Sequence, residues 1–240
     1  MHQGELPLSL PSAPPRRNAI RRDSRVAVSV AANLASVRER IERAGGDLEV
    51  ITIVAVTKGF GADVCRQALE AGLTNLGENR VQEAVDKMAE VSGAQWHLIG
   101  HLQTNKVRLT RGRFTLIQSV DSLHLAEAIA KVDPTQQVLI EVNVAREAQK
   151  TGVAPGQAID LLVEMAGLLD VRGLMAMGPA HGDPTPAFQE LRDLRDKAQQ
   201  RLARSLPILS IGMSGDFEAA IAAGSTMLRL GRVLFGPRPV

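Results

Sequence analysis

The stretch VITIVAVTKGF, residues 50–60, joins an apolar run to a lysine, Lys58. A short continuous apolar run bounded by turn residues is typical of a strand that is covered on both faces, as in a parallel sheet. Burial disfavours an ammonium group, so a lysine at the end of such a strand needs a reason. Either Lys58 has a chemical role, or it reaches solvent or pairs with a carboxylate.

Similar runs recur along the chain, and helical patterns separate them. The strand-like runs lie near residues 50–57, 73–76, 95–99, 114–118, 137–144, 171–175, 207–211 and 226–230. The helical patterns lie near residues 61–71, 79–92, 103–110, 122–131, 155–168, 185–204 and 215–223. This alternation predicts an α/β protein, a single-domain (β/α)8 TIM barrel over residues 24–240. A doubly wound open sheet is the alternative, although no G-x-G-x-x-G pattern follows the first strand.

The first part of the chain has a different composition. Residues 1–23 are rich in proline and show no apolar periodicity, which predicts a disordered extension, with an arginine-rich transit peptide as the alternative. After it, Ser24 is expected to cap a helix that runs to about Ala44 and stops at Gly45 and Gly46.

Charge and residue usage exclude several classes of function. Residues 1–25 hold five arginines against two acidic residues, a net charge of +3, so the rest of the chain carries −1 of the total +2. Such a balance argues against a nucleic-acid-binding body. One cysteine allows no internal disulfide and no apolar run could span a membrane, so we expect a cytoplasmic protein. The five histidines have no metal-ligand spacing, so no metal site is predicted.

Functional residues of a parallel barrel lie at the carboxyl ends of its strands. This rule selects Lys58, the segment LGEN that ends at Asn79, and two segments after the seventh and eighth strands, GMSGDFE (212–218) and RLGRVLFG (229–236). Ser214 as a helix cap, with the bare backbone of Gly215 and Gly231, predicts a phosphate site. An ordinary capped helix and an ordinary turn glycine are the alternative.

An amine beside a phosphate site predicts a phosphorylated aldehyde as ligand, namely pyridoxal 5′-phosphate (PLP). Arg229 would face the pyridine nitrogen and weaken the ring as an electron sink, with a strand-end salt bridge as the alternative. Weaker candidates are Asn79, which could instead cap a helix, and His101, Glu141 and Asn143. Cys65 is expected in the core.

Several segments, taken together and in this order, resemble one family. VAVTKGF, LGENRVQEAVDK, WHLIGHLQTNK, VDSLHLAEAI, VLIEVNVAREAQKTGV, RGLMAM and LSIGMSGDFEAAIAAGSTMLRLG resemble the pyridoxal phosphate homeostasis protein (YggS-type) family, over about residues 26–237. The resemblance implies a barrel like the N-terminal domain of alanine racemase. It also implies an internal aldimine between PLP and one lysine, and a set of cofactor-binding residues: Lys58, Asn79, Ser214, Gly215, Arg229 and Gly231.

Two positions depart from the family pattern. Arg80 stands where the family often has an aromatic residue after GEN, and Arg232 stands where it often has threonine after the glycine. The threonine hydroxyl is therefore missing at the predicted phosphate site, although the backbone N–H remains.

The resemblance implies a PLP carrier in vitamin B6 homeostasis with no established reaction. Separately, we expect a monomer, with PLP-dependent apoenzymes as candidate recipients. The alternative is a PLP-dependent enzyme such as a weak amino-acid racemase. An alanine racemase needs a tyrosine from a C-terminal β-domain as its second base, and this chain stops at Val240 and contains no tyrosine. A third possibility is a barrel that binds a phosphorylated sugar and uses Lys58 only structurally.

Overall fold

The computed structural model describes Met1 and residues 29–238, so most of the predicted disordered extension lies outside the described residues. The first helix begins at Val30, with Ser29 as its N-cap, because the Ser29 hydroxyl accepts a hydrogen bond from Ala32 N. The helix predicted from Ser24 is described from Val30 onward, and Ser24 itself lies outside the described residues. The predicted stop is confirmed: Gly45 has φ +82°, a conformation that ends helices and favours glycine.

Eight parallel strands close into a barrel in the order in which they occur in the chain. They are β1 (Thr52–Val56), β2 (Asn75–Glu78), β3 (Gln95–Leu98), β4 (Leu116–Val120), β5 (Gln137–Glu141), β6 (Asp170–Met175), β7 (Ile208–Ser210) and β8 (Met227–Leu230). Closure comes from the pairing of β1 with β8, which includes Thr52 with Met227 and Val54 with Arg229. The predicted TIM barrel is confirmed and the open sheet is wrong.

Helices follow the strands around the outside. They are α1 (Val30–Arg43), α2 (Ala62–Glu70), α3 (Val81–Met88), α4 (Leu123–Val132), α5 (Ala158–Ala166), α6 (Thr185–Leu202), α7 (Phe217–Ala222) and α8 (Arg232–Phe235), with 3₁₀ helices at Thr104–Leu109 and Pro155–Gln157. The segment predicted as a helix near 103–110 is thus a 3₁₀ helix. Helix α8 was not predicted, because its residues were interpreted as the loop after the last strand.

The core has two parts, as expected for a barrel whose strands alternate between inward and outward side chains. The larger apolar cluster lies between the sheet and the helices and includes Ala55, Phe188 and Phe217. A separate small cluster fills part of the interior and contains Val54, Leu116, Leu139, Met175 and Met227. The interior also holds buried polar side chains, among them Gln118, Ser210 and Arg229.

Strand ends differ from the predictions by at most three residues. The largest difference is at β5, where the apolar run continues to Val144. Val142 N still donates to Met175 O of β6 at 2.9 Å, and Val142 also forms an isolated bridge with Val153, so Val142 and Val144 are buried beyond the end of β5. Among the helices of the described residues, none has the length and hydropathy that a membrane crossing requires.

Candidate cofactor site

A cavity of about 1400 Å³ opens at the carboxyl end of the barrel. Ligand sites in proteins usually measure about 300–1000 Å³, so there is room for a small cofactor and more. Six residues were predicted as cofactor-binding, and all six line this cavity: Lys58, Asn79, Ser214, Gly215, Arg229 and Gly231. The closure of the barrel brings together residues that are up to 173 positions apart in the chain. Their roles toward a cofactor stay predictions.

Lys58 lies two residues after the end of β1 and is half-buried. Burial lowers the pKa of its amine below the ordinary 10.5, and the cations of Arg238 and Arg229 lower it further. Glu78 and Glu83 oppose this shift without cancelling it. The amine is therefore more nucleophilic near neutral pH than that of an ordinary surface lysine, as the sequence predicted.

The residues on either side of the site lysine are held by a buried ionic network. Lys87, on α3, donates hydrogen bonds to Thr57 O (2.9 Å), Glu78 Oε1 (2.7 Å) and Glu83 Oε1 (2.8 Å). Glu83 Oε1 also accepts from Gly59 N at 2.7 Å, and Thr57 Oγ1 donates to Glu78 Oε1 at 2.6 Å. The network fixes the end of β1 to α3, and so fixes the backbone from which the amine projects.

Arg229 comes from β8 and is 5% exposed. Its Nη1 donates to the carbonyl oxygen and to the hydroxyl of Ser210, both at 2.7 Å, and its Nη2 donates to Ala176 O at 2.8 Å. Burial lowers the pKa of Arg229 to about 10, while Glu141 and Asp216 favour its charge. At neutral pH it is a cation held by three hydrogen bonds, and the predicted alternative of a strand-end salt bridge is not what holds it.

The loops after β7 and β8 meet at Ser214. The prediction that Ser214 caps a helix is wrong, because α7 begins at Phe217 and Asp216 is its N-cap residue. Ser214 Oγ instead accepts a hydrogen bond from Val233 N, in the first turn of α8, at 3.3 Å. A Cβ added to Gly215 would meet no atom within 4 Å, so this glycine faces open space in the cavity.

The structure also locates three of the weaker candidate residues. Asn79 lines the cavity and is not a helix cap, since Arg80 is the N-cap residue of α3. Glu141 lines the cavity as well, accepts a hydrogen bond from Thr151 Oγ1 at 2.7 Å and has its pKa raised by burial. His101 is exposed, with Nδ1 3.8 Å from a carboxylate oxygen of Asp121.

Comparison with known proteins identifies the family. The pattern of the alanine racemase N-terminal domain matches residues 28–239. A protein of Aquifex aeolicus, named pyridoxal phosphate homeostasis protein, is 40% identical over 232 residues, which cover 92% of this chain and 99% of that protein. The chain belongs to the pyridoxal phosphate homeostasis protein family. A member of this family from Deinococcus radiodurans is 43% identical over 213 residues, covering 87% of this chain and 100% of its own.

A solved structure has the same fold as this chain. PipY of Synechococcus elongatus, with PLP bound, superimposes with a TM-score of 0.76 at 32% identity. The match covers 86% of this chain and all of the PipY chain. The chain therefore shares both its sequence family and its barrel with a protein whose structure contains PLP, and the family resemblance predicted from the sequence motifs is confirmed.

Some residues around this homeostasis-family site were not found by sequence reasoning. Lys87 and Glu83 have the (i, i+4) spacing of a helix pair, and that signal was available. Gln118 stands in the mainly apolar, fully buried strand LIQSV, a pattern that indicates a polar side chain inside the barrel. The charge of Arg238, near the C-terminal end of the chain, lowers the pKa of Lys58, and no local sequence pattern indicates this electrostatic interaction.

Proposed function

We propose that this protein binds PLP and takes part in intracellular PLP homeostasis, with the amine of Lys58 as the point of covalent attachment. The observation that carries the proposal is the placement of a lysine with a lowered pKa in one cavity with a buried arginine and the β7 and β8 loops. The family membership and the PLP in PipY support the same ligand.

The groups that line the cavity fit the three functional parts of PLP. When bound, PLP supplies an electrophilic aldehyde, whose carbon forms a C=N bond to an amine and releases water. Lys58 provides that amine. The Ser214 hydroxyl, the open backbone at Gly215 and the backbone at Gly231 suit a phosphate, since barrels of this type use the loops after strands seven and eight. Arg229 would donate a hydrogen bond to the ring nitrogen.

We propose a carrier rather than an enzyme. A cationic arginine that donates to the ring nitrogen keeps this nitrogen unprotonated, which weakens the ring as a sink for electrons. The chain also contains no tyrosine that could act as a second base. We further propose that the protein works as a cytoplasmic monomer and that PLP-dependent apoenzymes receive the cofactor.

A spectroscopic titration tests the proposed function. The protein should bind PLP with a new absorbance band, whereas pyridoxal, without phosphate, and pyridoxine 5′-phosphate, without the aldehyde, should bind at least about tenfold more weakly. The bound protein should not convert amino acids faster than free PLP does. A protein that binds all three compounds equally would contradict the assignment of both ends of the site, and rapid amino-acid turnover would contradict the carrier role.

Removing the hydroxyl of Ser214 should weaken chiefly the phosphate contact, although the hydrogen bond from Val233 N is lost as well. Hydrogen bonds to charged groups contribute about 1.5–3 kcal/mol, so Ser214→Ala should lower the affinity for PLP about tenfold or more. The affinity for pyridoxal should stay the same, because that compound has no phosphate. If both affinities fell equally, Ser214 would act on the whole loop and not on the phosphate.

The lowered pKa of Lys58 predicts the pH dependence of covalent attachment. Only the neutral amine reacts, so the rate should rise with pH and level off below the ordinary lysine pKa of 10.5. Arg238→Gln removes a cation that lowers this pKa, so its profile should move to higher pH, while Arg201→Gln on α6 should leave it in place. Stopped-flow absorbance measures the profiles, and an unmoved Arg238→Gln profile would contradict the electrostatic argument.

A further inference from the structure

A line of polar side chains crosses the interior of the barrel beneath Arg229. Ser210 on β7, Gln118 on β4 and His97 on β3 are buried, and Asn75 at the start of β2 is half-buried. The distances along the line are 2.7 Å from Arg229 Nη1 to Ser210 Oγ, 2.7 Å from that oxygen to Gln118 Oε1, 3.1 Å from Gln118 Nε2 to His97 Nδ1, and 2.9 Å from His97 Nε2 to Asn75 Oδ1.

The hydrogen bonds of this line run in one direction, starting from the guanidinium. Arginine has donors only, so the Ser210 hydroxyl accepts from Arg229, and it donates its own proton to Gln118 Oε1. The amide nitrogen of Gln118 then donates to Nδ1 of His97, which therefore carries no proton. The neutral ring holds its proton on Nε2 and donates it to Asn75 Oδ1.

The surroundings favour this arrangement. Burial lowers the pKa of His97 to about 4, so the ring is neutral at physiological pH. A protonated ring would also turn Nδ1–H against the amide hydrogens of Gln118, which in addition contacts Met227 Sδ at 3.2 Å. At the other end, Glu141 from β5 and Asp216 from the β7–α7 loop favour the cationic form of Arg229.

We infer that Ser210, Gln118 and His97 are positioning residues that orient Arg229 toward the cofactor ring through one directed line of hydrogen bonds. This inference rests on the proposed function, because it assigns Arg229 to the ring nitrogen. Each member accepts on its Arg229 side and donates on the other, so the line holds the guanidinium as a fixed donor. Through Arg229, the polar residues inside the barrel thereby keep the ring nitrogen of the bound PLP unprotonated.

The cofactor-free protein gives the first test. In nuclear magnetic resonance spectra of protein labelled with ¹⁵N-histidine, His97 should carry its proton on Nε2 and should stay neutral down to about pH 4. Gln118→Glu replaces the donor to Nδ1 by an acceptor, so the ring should take up a proton on Nδ1 and its titration should move to higher pH. A wild-type His97 protonated on Nδ1, or titrating near its ordinary pKa of 6.5, would overturn the inference.

The loaded protein gives the second test. Ser210→Ala removes one hydrogen bond of Arg229 and cuts the line, so PLP affinity should fall about fivefold to tenfold and the absorbance band of bound PLP should shift. The matched control is Ser225→Ala, which removes another buried hydroxyl, one that donates to Ile211 O at 2.8 Å outside the line. Its affinity and band should equal those of the wild type.

The two tests separate the inference from the proposed function. If the wild-type protein failed to bind PLP, the proposed function would fall, and the histidine spectra would still decide whether the line is directed as described. If the protein bound PLP but Ser210→Ala behaved like Ser225→Ala, the positioning role would be wrong and the proposed function would stand. A Ser210→Ala protein with a shifted band and a wild-type unfolding curve would support positioning over a general loss of stability.

Discussion

Lys58→Met should abolish covalent attachment of PLP. Borohydride reduces a C=N bond to a stable amine, so wild-type protein that is incubated with PLP and then reduced should carry one pyridoxyl group on the peptide that contains Lys58. The variant should carry none there, and its PLP absorbance band should match that of the free compound. Methionine keeps the length and flexibility of the side chain, so the change removes the nucleophile with little loss of packing.

Lys150→Met is the matched control, because Lys150 lines the same cavity. Its ammonium group donates to Glu147 Oε1 at 2.9 Å and to Gly178 O at 2.7 Å, so it is held away from a nucleophilic role. This variant should label like the wild type. If labelling persisted in Lys58→Met and vanished in Lys150→Met, the site of covalent attachment would be Lys150, in the loop after β5, and not Lys58.

The sequence predicted the barrel well, because its signals are local. Each strand is a short apolar run, each run is followed by a helical pattern, and Gly45 marks the end of α1 through a conformation that glycine favours. Lys58 and Arg229 could be selected in the same way, since a charge at the end of a buried strand is a local anomaly. Because the functional residues of a parallel barrel lie at the carboxyl ends of its strands, both residues could then be assigned to the same end of the barrel.

What the sequence did not predict depends on contacts between distant segments. The role of Ser214 was misjudged because a serine before an acidic turn is typical of a helix cap, whereas its hydroxyl accepts from Val233 on the next helix. Gln118 and Ser210 are separated by 92 residues, so their hydrogen bond follows only from the closed sheet. Polar residues in buried strands mark such networks, but they do not reveal the partners.

Lys87→Met should destabilise the protein strongly. Lys87 and Glu78 form an ion pair with 7% and 0% of their side chains exposed, and Glu78 Oε2 has no hydrogen-bond partner among the described residues. Removing one member of a buried pair leaves an uncompensated charge and costs about 3–5 kcal/mol. Urea unfolding followed by circular dichroism measures the loss. Covalent attachment of PLP should also slow, because the end of β1 loses its hold on α3.

The pH dependence and two further variants test the cause of this loss. Burial raises the pKa of Glu78 even in the wild type, and without Lys87 it should rise further. A carboxyl group whose pKa is higher in the folded state destabilises the fold as pH rises through that range, so Lys87→Met should lose less stability at pH 5 than at pH 8. Adding Glu78→Gln should recover part of the loss.

Arg43→Met, which breaks the exposed (i, i+4) pair with Glu39, should cost only about 0.5 kcal/mol. An equal loss in the buried and the exposed variant would contradict the argument that the buried charge governs the stability of this network.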